Sequence, residues 1–151
     1  MGTRVEQLLQ ADQWDLAEAT GSIGTATLRY RVPVLLAGEA ADYDRCLRIV
    51  WIYAEEGSGA LPDQEALVAL EDFENRLCDA LESDALGVLT AVLTLDGARQ
   101  WVFYTADLKA CSARLNDMPQ REEPYPIELD SFPDQDWSYL REDILAIVRA
   151  A

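Results

Sequence analysis

Hydrophobic and polar positions change period several times along this chain, and each change predicts an element. Ala26, Leu28, Tyr30 and Val32 alternate with Thr25, Thr27, Arg29 and Arg31. A period of two predicts a strand with one buried face and one polar face, here an outer face bearing arginines. "WDLAEAT", Trp14 to Thr20, reads as its partner, and the two glycines of the intervening "GSIG" signal a turn. Residues 14–36 therefore predict a β-hairpin. Ahead of it, Val5, Leu8 and Leu9 fit a short helical turn. "RCLRIVWIYA", residues 45–54, is nearly continuous apolar with β-branched and aromatic residues, the pattern of a strand covered on both sides.

The period then lengthens. In "DQEALVALEDFENRLCDALES", Ala66, Leu70, Phe73, Leu77 and Leu81 form one helical stripe. Asp63 is its expected N-cap. Glu65, Asp72, Asp79 and Glu82 are expected largely on the other side, and Glu74 away from the core. "GVLTAVLTL", residues 87–95, reads as a strand, Asp96-Gly97 as a type I′ turn, and "RQWVFYT", residues 99–105, as the returning strand. "ADLKACSARLNDM" predicts a helix with Leu108, Cys111, Leu115 and Met118 buried and Pro119 beyond its end. "YPIELDS" is a short strand, placed at a sheet edge because Pro126 cannot donate to a ladder. The last segment predicts a helix over 135–150, capped by Asp134 or Asp136, with Trp137, Leu140, Ile144 and Ile147 or Val148 on one face.

From residue 45 to 132 the order is β-α-β-β-α-β. This predicts an α+β, ferredoxin-like sandwich within a single domain spanning 1–151, with the hairpin and the C-terminal helix as additions. Strands 45–54 and 99–105 are expected side by side and parallel at the centre, with 87–95 and the Pro126 strand outside them. The two helices would cover one sheet face. Trp101 and Phe103 point to one face of their strand and Val102 and Tyr104 to the other. Exposing both pairs would leave a larger apolar patch than monomers carry. The second face thus needs a cover: the C-terminal helix, the hairpin, a second copy in a homodimer, or a partner.

Charge changes the picture more than composition does. The 151 residues contain 28 acidic and 12 basic side chains, for a formal net charge of −16. Such a surface repels nucleic acid and anionic lipid; it either favours a basic protein partner or serves colloidal solubility alone. Cys46, Cys78 and Cys111 are odd in number and widely spaced, and histidine is absent. This argues against a zinc site and for buried thiols in a reducing cytoplasm. No run approaches the ~20 apolar residues of a membrane span, and no signal peptide is expected at the N-terminus.

Candidate chemistry is sparse. Without histidine the commonest general base is missing, and no nucleophile elbow, Walker loop or dinucleotide fingerprint occurs. Glu55-Glu56, Glu71-Asp72, Glu122-Glu123 and Asp134-x-Asp136 match no calcium loop and read as solvated faces or caps. No catalytic residue, metal or cofactor is therefore expected. Arg29, Arg31, Arg48 and Arg99 lie on strands of a very acidic chain and need an explanation. Arg29 and Arg31 could pair with Glu71, Asp72 or Asp107. Alternatively, Arg29, Arg31, Tyr104 and Asp107 could form an anion or ligand pocket.

Trp14, "RYRVP" with Arg31 and Pro33, "WIYAEEGSGALPDQEALVALED", "TLDGARQWVFYTAD" and "DQDWSYL" together span residues 14–140. In that order they resemble a bacterial family known as domain of unknown function 695. Members of it sometimes occur fused to a domain similar to the protein inhibitor of ribonuclease E, itself a small acidic ferredoxin-like protein. The resemblance implies a fold and no reaction. The reading that follows is a cytosolic, non-enzymatic protein-binding or regulatory module. The alternatives are a small-ligand or anion-binding protein or enzyme, and an immunity-type inhibitor of a basic toxin.

Overall fold

The computed structural model describes residues 4–21, 24–55, 57, 61–118 and 125–149. Ser22, Ile23, Glu56, Pro119, the Glu122-Glu123 pair and the side chain of Val148 lie outside these residues. Helix α1 (Arg4–Ala11) leads into β1 (Gln13–Gly21) and β2 (Gly24–Val32). Then come β3 (Arg45–Ile52), α2 (Gln64–Leu81), β4 (Gly87–Leu95), β5 (Ala98–Thr105), α3 (Leu108–Asp117) and β6 (Ile127–Pro133). A π-helical turn, Tyr139–Ile144, runs into α4 (Leu145–Arg149).

The fold is mixed α+β, with a six-stranded sheet in the order β1-β2-β4-β5-β3-β6. Every neighbouring pair is antiparallel. β3 and β5 are adjacent as expected, with Ile49 opposite Trp101, but the expected parallel orientation is wrong. The reason lies in the connections. Crossover helix α2 returns the chain to run alongside β3 one strand position away. The tight hairpin then reverses it, so β5 fills the gap against both neighbours. β4 is not an edge either, because β2 pairs with it through Thr27 opposite Thr94 and Arg29 opposite Val92. β6 is an edge strand, and Pro126 sits just ahead of it, accepting from the Ile52 amide.

The β4–β5 turn shows why glycine is needed there. Asp96 and Gly97 both have positive φ, and a Cβ on Gly97 would meet the Ala54 carbonyl oxygen at 2.7 Å. A bulge between Leu89 and Ala91 resets the alternation of β4, with the Thr90 hydroxyl donating to the Val102 carbonyl at 2.8 Å.

Two cores result. On the first face, Leu70, Phe73, Leu77 and Leu81 of α2 and Cys111 of α3 pack on Ile49, Trp51, Trp101 and Phe103. On the second, Val5 and Leu8 of α1, Leu35, Tyr43, Trp137, Leu140 and Ile144 pack on Leu28, Cys46, Val102 and Tyr104. Of the expected helical stripes, Leu70, Phe73, Leu77, Leu81, Cys111, Met118, Trp137, Leu140 and Ile144 are buried, while Ala66, Leu108, Leu115 and Ile147 are half-buried. The second face is covered by the chain's own terminal helices and the segment between β2 and β3. Trp137 stacks on Tyr104 with ring centroids 4.4 Å apart, and its indole donates to the Tyr43 carbonyl at 2.8 Å. Asp134 is the carboxylate that caps this segment, accepting from the Ser138 and Tyr139 amides.

Leu77→Ala is expected to cost about 2–5 kcal/mol in chemical denaturation, because the side chain is fully enclosed. Exposed Asp72→Ala should stay within about 0.5 kcal/mol. Equal effects would place the wrong face of α2 in the core.

Candidate functional site

Strand register sets a row of polar and aromatic side chains on the α2 side of the hairpin. Trp14 lies opposite Arg31, and Leu16 opposite Arg29. The row continues from Arg29 to Val92 and on to Trp101. The face expected to be outer and solvated is therefore the flank against which α2 packs.

Arg31 shows the consequence most clearly, at 4% exposure. Its Nε donates to the Leu89 carbonyl at 2.9 Å, and Nη1 to the Leu8 carbonyl at 3.2 Å and Asp12 Oδ1 at 3.3 Å. Nη2 reaches Glu82 Oε2 at 3.1 Å. That oxygen also accepts from the Leu89 amide at 2.8 Å. One guanidinium thus ties α1, β2, β4 and the end of α2 together. The Trp14 ring takes Arg31 at 4.4 Å and Arg29 at 4.9 Å from its centroid, while its indole donates to Asp12. Glu74 Oε1 accepts from Arg29 Nη2 at 2.6 Å and from the Trp101 indole at 2.9 Å. Glu74 is therefore a bonded member of the packing, contrary to the sequence expectation, because a buried indole N–H needs an acceptor.

Burial raises the Glu82 carboxyl above the ordinary range, opposed by the Leu89 amide and by Arg31. Burial also raises all three thiols, with Cys46 pushed up to about 12. A nucleophilic cysteine needs the opposite shift. Among the described residues, no group of three or more His, Cys, Asp or Glu is placed to hold a metal ion.

Two clefts flank the row. One of about 290 Å³ is lined by Asp12, Arg31, Cys78 and Glu82. The other, about 190 Å³, is lined by Leu16, Thr27, Arg29, Glu71, Glu74 and Arg99. A larger hollow of about 470 Å³, between α2 and α3, adjoins the first cleft at Asp79 and Ser83. There Arg114 is already bidentate to Asp84, at 2.6 Å on each oxygen, and holds that carboxyl down to about 2.

Of the four residues expected at a pocket, only Arg29 and Arg31 meet. Tyr104 is on the opposite sheet face, donating to Asp134 at 2.6 Å. Asp107 caps α3, accepting from the Ala110 amide at 3.0 Å. The arginines pair with Glu74, Glu82 and Asp12 rather than Glu71, Asp72 or Asp107. Arg48 reaches Asp130 and lies over the Tyr139 ring. Arg99, Glu74 and Glu82 were available from pattern alone. Arg99 shares strand parity with Trp101 and Phe103, and the two glutamates border the apolar stripe of α2 at i+4 from Leu70 and at i+1 from Leu81.

The model of a family of unknown function, DUF695, matches residues 12–143. No curated protein and no solved structure matches the chain.

Glu82→Ala leaves Arg31 buried without its enclosed partner and is expected to cost about 3–5 kcal/mol. The double variant Arg31→Met/Glu82→Leu should recover most of that loss, as read by denaturant midpoints. A carboxyl-detected titration should place the Glu82 midpoint above the usual carboxylate range. Between its unfolded and folded values the folded chain binds more protons, so this group's contribution to stability falls as pH rises. A normal midpoint, or an unchanged stability for Glu82→Ala, would contradict the enclosed pair.

Proposed function

We propose, for a chain that belongs to the family of unknown function DUF695, that it is a cytoplasmic, non-enzymatic protein-binding or regulatory module that receives a basic partner. The observation that carries this reading is how charge is divided between inside and outside. Arg29, Arg31, Arg48 and Arg114 are committed to carboxylates of the chain itself. The outer side of α2 presents Glu65, Asp72 and Asp79, and the free edge strand β1 presents Asp15 and Glu18, all exposed. Excess negative charge is thus directed at solvent, where it steers a cationic surface into contact. A basic toxin would be one such partner.

The three thiols are free, and among the described residues no helix is long and apolar enough to cross a membrane. The free thiols support the cytoplasmic placement. The order β4-β5-β3-β6, with a helix crossing over between β3 and β4 and another between β5 and β6, supports reading this part as a ferredoxin-like unit. β1 and β2 then extend its sheet.

The immobilised chain should capture basic proteins from lysate at low salt. Raising salt should release them, and Glu18→Gln/Glu65→Gln/Asp79→Asn should reduce their capture. Partners retained at high salt and indifferent to the triple variant would overturn the reading. The isolated chain should also melt at higher temperature as NaCl rises from about 0.02 M to about 0.15 M, where the Debye length is ~8 Å and self-repulsion is screened.

A further inference from the structure

We propose that the cleft between β2, β5 and α2 binds a small carboxylate bearing a short apolar group, with Arg99 as the principal anion receptor and Arg29 beside it. This site is separate from the protein contact proposed above and does not depend on it.

Arg99 carries the inference. It is half-buried on β5, on the same face as Trp101, and only its Nε is bonded, donating to Thr94 Oγ1 at 2.8 Å. Arg29, Arg31, Arg48 and Arg114 each reach a carboxylate of the chain. Among the described residues, none lies within ion-pair distance of Arg99, although Glu71 and Glu74 line the same cleft. Burial lowers its pKa and the neighbouring Arg29 charge acts in the same direction, while Glu74, Tyr53 and Glu71 oppose them. A protein this acidic has carboxylates to spare, yet among the described residues none is in contact with this guanidinium, and Glu71 and Glu74 act on it only across the cleft. A partly desolvated charge without a contacting counterion is costly, and an incoming anion reduces the cost.

The surroundings define the ligand. The bond from Nε to Thr94 fixes the guanidinium plane and leaves both terminal nitrogens as a planar fork, which fits the two oxygens of a carboxylate. Arg29 uses Nη2 on Glu74, so Glu74 is already neutralised at the cleft wall. Register places Thr27 opposite Thr94, adding a hydroxyl to the floor. Leu16, 76% exposed, and Val92 supply an apolar wall. The volume of about 190 Å³ admits a group of a few heavy atoms. Glu71 is exposed at the rim and opposes a second negative charge, which favours a singly charged carboxylate over phosphate.

The test is a titration of the isotope-labelled chain with sodium propionate, replacing NaCl at constant ionic strength and followed by NMR. Saturable shifts are expected at the Arg99 Nε–H and at Thr94, with inorganic phosphate binding more weakly. Arg99→Gln should weaken propionate by at least about tenfold, the loss of a hydrogen bond to a charged group. Its spectrum should stay dispersed, since no ion pair of the chain is broken. If Arg99→Gln does not fold, Arg99→Lys provides the same comparison, keeping the charge but losing the fork. No saturable propionate response, an unchanged affinity in the variant that folds, or tighter phosphate binding would each overturn the proposal.

Discussion

The constraint on which this structure depends is the burial of β5 on both faces. Trp101, Val102, Phe103 and Tyr104 are consecutive and fully enclosed. Alternate side chains on a strand point to opposite sides. Four such residues in a row therefore require two independent covers, and each cover recruits part of the chain. Phe73 meets Trp101 edge to face with ring centroids 5.2 Å apart and Trp51 at 5.1 Å, which draws α2 onto the first face. Tyr104 takes Trp137 in a stack and donates to Asp134, the carboxylate that caps the C-terminal segment, which draws that segment onto the second. Both faces of β5 are thus closed by the chain itself.

Charge within the molecule follows the same economy. Where a guanidinium is enclosed, as at Arg31, carbonyls and a carboxylate surround it, since an enclosed charge is tolerated only with such partners. Aromatic residues fill what remains: Trp14 lies across two arginines, and the Trp101 indole shares Glu74 with Arg29. Arg99 breaks this pattern, and that exception points to a ligand. The exterior breaks it in the other direction, with a carboxylate excess that no internal group balances.

Much of the fold was legible because local signals decide it. The helical stripe of α2, the Asp96-Gly97 turn and the alternation in β2 each specify an element within a few residues. Strand direction was not legible from apolar continuity. Whether β3 and β5 run together or opposed depends on the crossover of α2, which no single segment encodes. The site was legible in part. Arg29 and Arg31 stood out by charge, but their partners lie 45 and 51 positions away. Tyr104 was drawn into the same pocket because parity tells which residues share a face of one strand, not which faces of distant strands coincide. The face bearing Arg29 and Arg31 looked solvated by composition, and it is instead the flank that α2 packs against.

The double-sided cladding of β5 is tested most directly by native-state hydrogen exchange. The amides of residues 101–104 should exchange only through global unfolding, with the same free energy as the amides at the centre of α2. Trp137→Ala should lower both sets together, because the second-face cover and the first-face core then belong to one cooperative unit. Exchange of the β5 amides at a clearly lower free energy than those of α2 would show that one face opens on its own, and would contradict the account.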